Sequence, residues 1–484
     1  MSDKKFYITT TLPYVNADPH LGFAMELVRA DIIARYKKLI GFDIFFNTGT
    51  DEHGQKIFQQ AEIEGVDVQS YVDDYAEKFR NLIPMLGIDQ NVNFIRTTDT
   101  HHVKAAQEFW TICNDNGFIY QKDYQIKYCV GCELEKTDSE LEDGRCPIHS
   151  NKEIELRDEK NYFFKFSEFE NKLKDFYSEN KNFVIPEFRF KEIKNFIESG
   201  LQDFSISRLK SKMPWGIPVP GDDTQVMYVW FDALVNYVSA IGWPSDEAKF
   251  IDWAQKTGGM VQYAGKDNLR QQAAIWQAML MAAGLPNSKQ VVINGFINGP
   301  DGTKMSKSLG NVVNPKDLVD EFGVDVVRYY IARHFNNFED SDFSLDKFKE
   351  SYNANLANGL GNLVSRIMKM ATTYGVTIKP DDKELVYFTE GVTIPELEAF
   401  DINTFTDNIW VNIGHLDEYI QKNEPFKKIK TDPEEAKKDV QYLLFHLLGV
   451  ALALEPIMPE TSKKIRRLIL DNEMPTEPLF LRQD

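Results

Sequence analysis

FYITTTLPYVNADPHLGFAMELVRADIIARYKKLIGFDIFFNTGTDEHG, residues 6–54, holds a β-branched and aromatic run, a loop, a helical repeat and a second apolar run, in that order. FYITTT at 6–11 has the composition of a strand. Past the loop LPYVNADP, Leu21, Met25, Val28, Ile32, Tyr36 and Leu39 recur at steps of three and four, which places them on one face of a helix. Asp18 and Pro19 are placed to cap and start that helix, and Gly41 to stop it. FDIFFN at 42–47 reads as a second strand ending in the polar turn TGTDEHG. Strand, helix, strand is a βαβ unit, and its parallel sheet binds ligands at the carboxyl ends of the strands.

A charged, cysteine-containing stretch interrupts the pattern between about 116 and 225. The α/β alternation returns with QVMYVWFDALVNYVSA at 225–240, MVQYAG at 260–265 and VVING at 291–295. From about 351 onward strand signals nearly vanish, and three segments with helical periodicity predict a helix bundle. The expected organisation is a split parallel-sheet α/β domain at 1–115 and 226–295. An insertion occupies 116–225, a linking region 296–350 and an all-α domain 351–484.

At 484 residues the chain needs more than one core. Its 43% hydrophobic and 27% charged residues are ordinary for a soluble globular protein. No run approaches the roughly 20 apolar residues that cross a bilayer. The start, MSDKKFYITTTLPY, lacks a signal-peptide apolar core, so a cytoplasmic protein with no membrane partner is expected. A net charge of −19 argues against a general nucleic-acid binder while leaving room for a local basic track. Lys304 with Lys307, Lys427 with Lys428, and the group Lys463, Lys464, Arg466 and Arg467 are the candidates, though a charge run alone describes a solvated face.

Three of the four cysteines lie close together. Cys129-x-x-Cys132, then thirteen residues, then Cys146-x-x-His149 is tetrahedral zinc spacing. Four protein ligands leave no open position, so one structural zinc per chain is expected. Cys113, His101 and His102 read as ordinary residues.

Two further segments suggest phosphate chemistry. Pro19-His20-Leu21-Gly22-Phe23 sits where the first strand turns into the first helix, and a helix N-terminus offers unpaired N–H groups to an anion. His20 could donate to a phosphate oxygen, and Gly22 lacks a side chain that would hold a flat base away. Gly302-Thr303-Lys304-Met305-Ser306-Lys307-Ser308-Leu309-Gly310-Asn311 follows a strand and a turn. Its two lysines, with small hydroxyl residues near them, form a cationic loop suited to a leaving pyrophosphate.

Together HLGF and KMSKS resemble the two signatures of class I aminoacyl-tRNA synthetases. Thr11-Leu12-Pro13-Tyr14, Thr48-Gly49-Thr50-Asp51-Glu52-His53-Gly54, Tyr228-Val229-Trp230-Phe231-Asp232-Ala233, Gly265-Lys266-Asp267 and the stretch from Asn353 to Arg366 look like the methionyl-tRNA synthetase family in particular. The resemblance spans nearly the whole chain. It implies a Rossmann-like catalytic domain, a lysine loop and stem-contact region at 296–350, and an anticodon-binding helix bundle. ATP, L-methionine and tRNA(Met), the initiator included, would be its partners, with magnesium accompanying the ATP.

By the same resemblance His20, Lys304 and Lys307 would be catalytic, and Gly22, Met305, Ser306 and Ser308 would also border ATP. Asp51 would hold the α-ammonium of methionine, as a carboxylate can. Leu12, Tyr14, Trp230, Tyr237 and Gln272 would form the methionine pocket, where aromatic walls suit a thioether. Asp232 and Lys266 would belong to the catalytic floor. Asn362, Arg366 and Phe426 would read and stack anticodon bases; Asn362 and Arg366, four apart, share one helix face.

Two departures stand out. Phe23 occupies the place of a second signature histidine, and Gln271-Gln272 the place of a Phe-His pair. A monomer is expected, because the dimerisation and tRNA-binding appendage of some family members is not seen after the helical region. A sibling class I enzyme and a tRNA-binding module without catalysis remain as alternatives.

Overall fold

The computed structural model of the chain describes residues 4–129, 134–136, 141–147, 153–303, 305, 312–379, 387–388 and 390–483. Six strands form one sheet: β1 (Lys5–Thr9), β2 (Asp43–Thr50), β3 (Asn93–Arg96), β4 (Val184–Ile185), β5 (Val261–Gly265) and β6 (Gln290–Asn294). Their order is β3-β2-β1-β5-β6-β4, and every pairing is parallel. The chain runs from β1 outward through β2 and β3, crosses to the opposite edge as β4, and comes back to β1's other side as β5. That reversal opens a crevice at the carboxyl ends of β1 and β5.

β4 comes from within 116–225, so part of the expected insertion supplies the sheet's edge. Two residues are too few to show a strand period, which is why the sequence pattern did not mark them. The remainder of the insertion is built on a long antiparallel pair, Ile119–Cys129 with Ile154–Phe164. Cys129 and Cys146 are buried there. Cys132 and His149 lie outside the described residues, and no cluster of three metal-ligating side chains occurs among the described residues.

Helix α1 (Leu21–Leu39) runs through the core and is buried on nearly all sides, not on a single apolar face. Its cap is His20, whose side chain accepts from the Gly22 N–H; Asp18 instead pairs with Lys78 at 2.7 Å. Gly41 does stop the helix, with a φ of 93°. Burial all round forces the charged residues of α1 to find partners. Arg29, Asp31 and Lys37 do so with segments far away in the chain.

The C-terminal third is helical: α2 (Val324–His334), α3 (Asn362–Tyr374), α4 (Ile402–Asn423), α5 (Pro433–Ala453) and α6 (Pro459–Asp471). A single apolar core runs from Phe6 and Ile8 of β1 through α1 into Leu363, Ile409, Leu443 and Ile465 of this bundle. Tyr7, pointing to the other face of the sheet, belongs to a second core with Phe109, Phe164 and Trp276.

Candidate active site

A cavity of about 1050 Å³ opens at the reversal point of the sheet. Leu12 and Tyr14 border it from the loop after β1, and His20 and Gly22 from the start of α1. Asp51 follows β2, Trp230 and Tyr237 come from the segment before β5, and Gln272 from the turn after it. Met305 of the lysine loop also lines the cavity; Lys304, Ser306, Lys307 and Ser308 lie outside the described residues. The described residues of both signatures therefore meet in one place.

His20 has extended backbone, and its Nδ1 accepts the Gly22 N–H at 3.1 Å. That bond fixes the neutral ring with its proton on Nε2, leaving a donor for the cavity. Protein packed around the ring pushes its pKa down from the usual value, which favours the same neutral form. A Cβ on Gly22 would lie 3.0 Å from both Nδ1 and Cε1 of His20. Beyond leaving space for a base, Gly22 thus keeps the imidazole in position.

Asp51 is buried beside a second buried carboxylate, Asp232. The turn that carries Asp51 is pinned by its neighbour: Glu52 takes two hydrogen bonds from Arg96, at 2.7 and 2.8 Å, and its N–H donates to Thr97 Oγ1. Gly49, just before, allows β2 and β3 to approach, since a Cβ there would lie 1.8 Å from Ile95 O. Burial, then the charge of Asp232, pushes the Asp51 carboxyl well above its usual range. Asp232 is raised by burial and drawn back by His53, whose Nδ1 lies 3.1 Å from its Oδ2. Oδ1 of each aspartate is buried with no hydrogen-bond partner among the described residues. The arrangement suits a primary ammonium.

The far wall is polar as well as aromatic. Gln262 donates to Gln272 Oε1 at 2.7 Å, and Gln272 Nε2 donates to the Tyr237 hydroxyl at 2.8 Å. Gln272 is thereby fixed as an amide rather than presenting a free polar end, which accounts for a glutamine in this place. Trp230 stands at the rim, 45% exposed and edge-on to Tyr228 at 5.6 Å. Phe23, where a histidine donor was expected, packs edge-on against Phe79 at 5.4 Å and contributes apolar wall.

Lys266 does not join the cavity floor. Its ammonium binds both oxygens of Asp340, at 2.6 and 2.8 Å, and lies 4.4 Å from the Phe296 ring centre. It fastens the end of β5 to the strap at 335–342, because Asp340 also accepts the Phe296 N–H and the next residues pair with Ile297 and Asn298.

Sequence reasoning missed Glu26, Asn294 and the role of His53. Glu26 lines the cavity from α1, takes the N–H and hydroxyl of Thr11 at 2.7 and 2.6 Å, and is pushed by burial up to about 7. Asn294 ends β6 and is held by Arg29 at 3.1 Å. Nothing local distinguishes these residues from solvated polar positions of a helix or strand end.

In the bundle, Asn362 is exposed at the start of α3, while Arg366 is paired with Asp417. Phe426 is 44% exposed beside Lys427, so it is not a core aromatic.

Residues 6–154 and 131–368 match the family model for tRNA synthetases class I (M), and residues 403–477 that for the anticodon binding domain of methionyl tRNA ligase. A methionine–tRNA ligase of Thermotoga maritima is 39% identical, over 98% of this chain and 76% of its own length. The enzyme of Thermosynechococcus vestitus is 40% identical, over 95% of this chain and 89% of its own. Mycobacterium tuberculosis methionyl-tRNA synthetase in complex with methionyl-adenylate superposes with a TM-score of 0.85 at 32% identity, over 96% of this chain and 94% of that one. A match of this extent, with both described halves of the signature pair on one cavity, makes the chain a member of the class I methionyl-tRNA synthetases.

Proposed function

We propose that the cavity joins methionine to ATP and then to tRNA(Met), the initiator included. The methionine carboxylate attacks the α-phosphorus, the bond to pyrophosphate breaks, and methionyl-adenylate forms. The 3′-terminal ribose hydroxyl then attacks the activated carbonyl, and AMP leaves. No protein nucleophile takes part. His20, a donor through Nε2–H, and the cations Lys304 and Lys307 would stabilise the charge that moves onto pyrophosphate. Magnesium on the phosphates would neutralise part of that charge.

Asp51 carries this reading: it lines the cavity, and its buried Oδ1, which has no hydrogen-bond partner among the described residues, matches the α-ammonium of an amino acid, with Asp232 adding negative charge behind it. Leu12, Tyr14, Trp230 and Tyr237 enclose the thioether, with Gln272 behind Tyr237. Asn362, Arg366 and Phe426 meet the anticodon, an assignment supported by the exposure of Asn362 and Phe426. One structural zinc sits on Cys129, Cys132, Cys146 and His149, supported by their spacing and by the burial of Cys129 and Cys146. We also propose a cytoplasmic monomer, a reducing compartment suiting the closely spaced thiols of Cys129, Cys132 and Cys146.

The test is methionine-dependent ATP–pyrophosphate exchange followed by tRNA charging. Asp51→Asn should raise the KM for methionine by about a hundredfold or more, the loss of a charge-assisted bond, with a smaller change in the KM for ATP. Exchange driven only by a different amino acid, or tRNA binding without exchange, would overturn the reading.

A further inference from the structure

Three buried ionisable groups from two distant parts of the chain meet at the cavity wall: Asp51, which lines it, with His53, both following β2, and Asp232 behind them in the helix Val229–Leu234. Asp232 is wholly inaccessible to solvent, and Asp51 and His53 are nearly so. His53 Nδ1 reaches Asp232 Oδ2 at 3.1 Å, while Oδ1 of Asp232 and Oδ1 of Asp51 have no hydrogen-bond partner among the described residues.

The groups packed around this cluster do not offset its charge. Glu52 is bound to Arg96. His102, from the helix Thr100–Asp115, is buried with Nδ1 2.9 Å from the Ser239 hydroxyl, and burial pushes its pKa down to about 3, so it is neutral. His101 beside it is exposed. Tyr14 is held above the usual tyrosine range by burial and by Asp51, so it too is neutral. Arg208 lies 4.6 Å from the ring centre of Tyr228. Two carboxylates buried together with one imidazole cannot all shed their protons without a cation beside them.

We propose that the ammonium of methionine takes the place of a proton here: binding methionine expels one proton from the Asp51–Asp232–His53 cluster to solvent. His53 is the positioning residue that orients Asp232 through its Nδ1. The inference rests on the reading of Asp51 as the anchor of the amino group. One positive charge enters, one leaves, and no covalent bond to carbon changes. Methionine therefore competes with protons: its KM rises as pH falls, by up to about tenfold per pH unit, while the KM for ATP does not follow.

Calorimetric titration of the full chain with methionine, in buffers of different ionisation enthalpy near about pH 7, reads the protons released. Close to one per methionine is expected. Asp232→Asn removes the neighbouring charge and should lower that number, with methionine binding weakened but still measurable. His53→Gln keeps a donor for Asp232 but alters how that carboxylate is held, so it should move the midpoint of the pH profile of the methionine KM without changing the fold. Methionine binding with no proton released anywhere between about pH 6 and 8 would overturn the proposal. Failure of the wild type to bind methionine would instead overturn the reading on which it rests.

Discussion

Glu26 shows how one residue of α1 couples the cavity to pH. Its carboxyl is raised to about 7 by burial, so the folded chain holds this proton more tightly than the unfolded chain does. Its contribution to stability is therefore complete below the unfolded value of about 4.3 and is lost as pH rises through about 7. Glu26→Gln, which cannot ionise, should gain about 3 kcal/mol on the wild type between about pH 5 and 8, read from denaturant unfolding at each pH. No gain would mean that Thr11 satisfies the ionised carboxylate fully. At this scale the sequence identified the residues whose meaning lies in a motif. Asp51 in TGTDEHG and His20 in HLGF were legible, and both line the cavity. Glu26 was not, because a glutamate in a helix reads as solvated until the segments that bury it are known.

Among the elements, the pairing of β2 with β3 sets the height of the acid cluster. Gly49 stands opposite Ile95, where any side chain would collide with the Ile95 carbonyl. Gly49→Ala should part the two strands locally and cost about 3 kcal/mol or more, lowering the Tm by several degrees and weakening methionine binding with it. A variant as stable as the wild type would show that β3 shifts freely. The βαβ unit was readable because both strands and the helix repeat over many residues. β4 was not, since two residues pair with β6 only through the sheet already formed. The helix starts at His20 rather than Asp18, because the His20 side chain takes the Gly22 N–H while Asp18 pairs with Lys78, sixty residues on.

For the whole molecule, Arg328 of α2 decides whether the two halves move together. It is fully buried, pairs with Asp31 of α1 at 2.7 Å and donates to the carbonyls of Leu86, Pro456 and Ile457. Arg328→Ala would leave Asp31 with its Arg35 bridge and the Asp89 N–H, and three carbonyls without this donor, at a cost of about 3–5 kcal/mol. Scanning calorimetry should then show the bundle and the sheet domain melting in separate steps, where the wild type melts in one. Unchanged melting would mean that the shared apolar core alone joins them.

Periodicity, residue type and spacing were enough to establish the α/β start and the helical end, and the ordered motifs, through the family they resemble, pointed to several of the residues that border the cavity. These are local properties, and a strand, a helix or a motif carries them along its own few residues. The partners of buried charge were settled only in three dimensions. Asp232 lies some 180 residues from Asp51, Asp340 holds Lys266, and Arg328 holds Asp31. The reason is electrostatic: a charge is inexpensive in water and costly in a core, so its role depends on what the fold brings beside it.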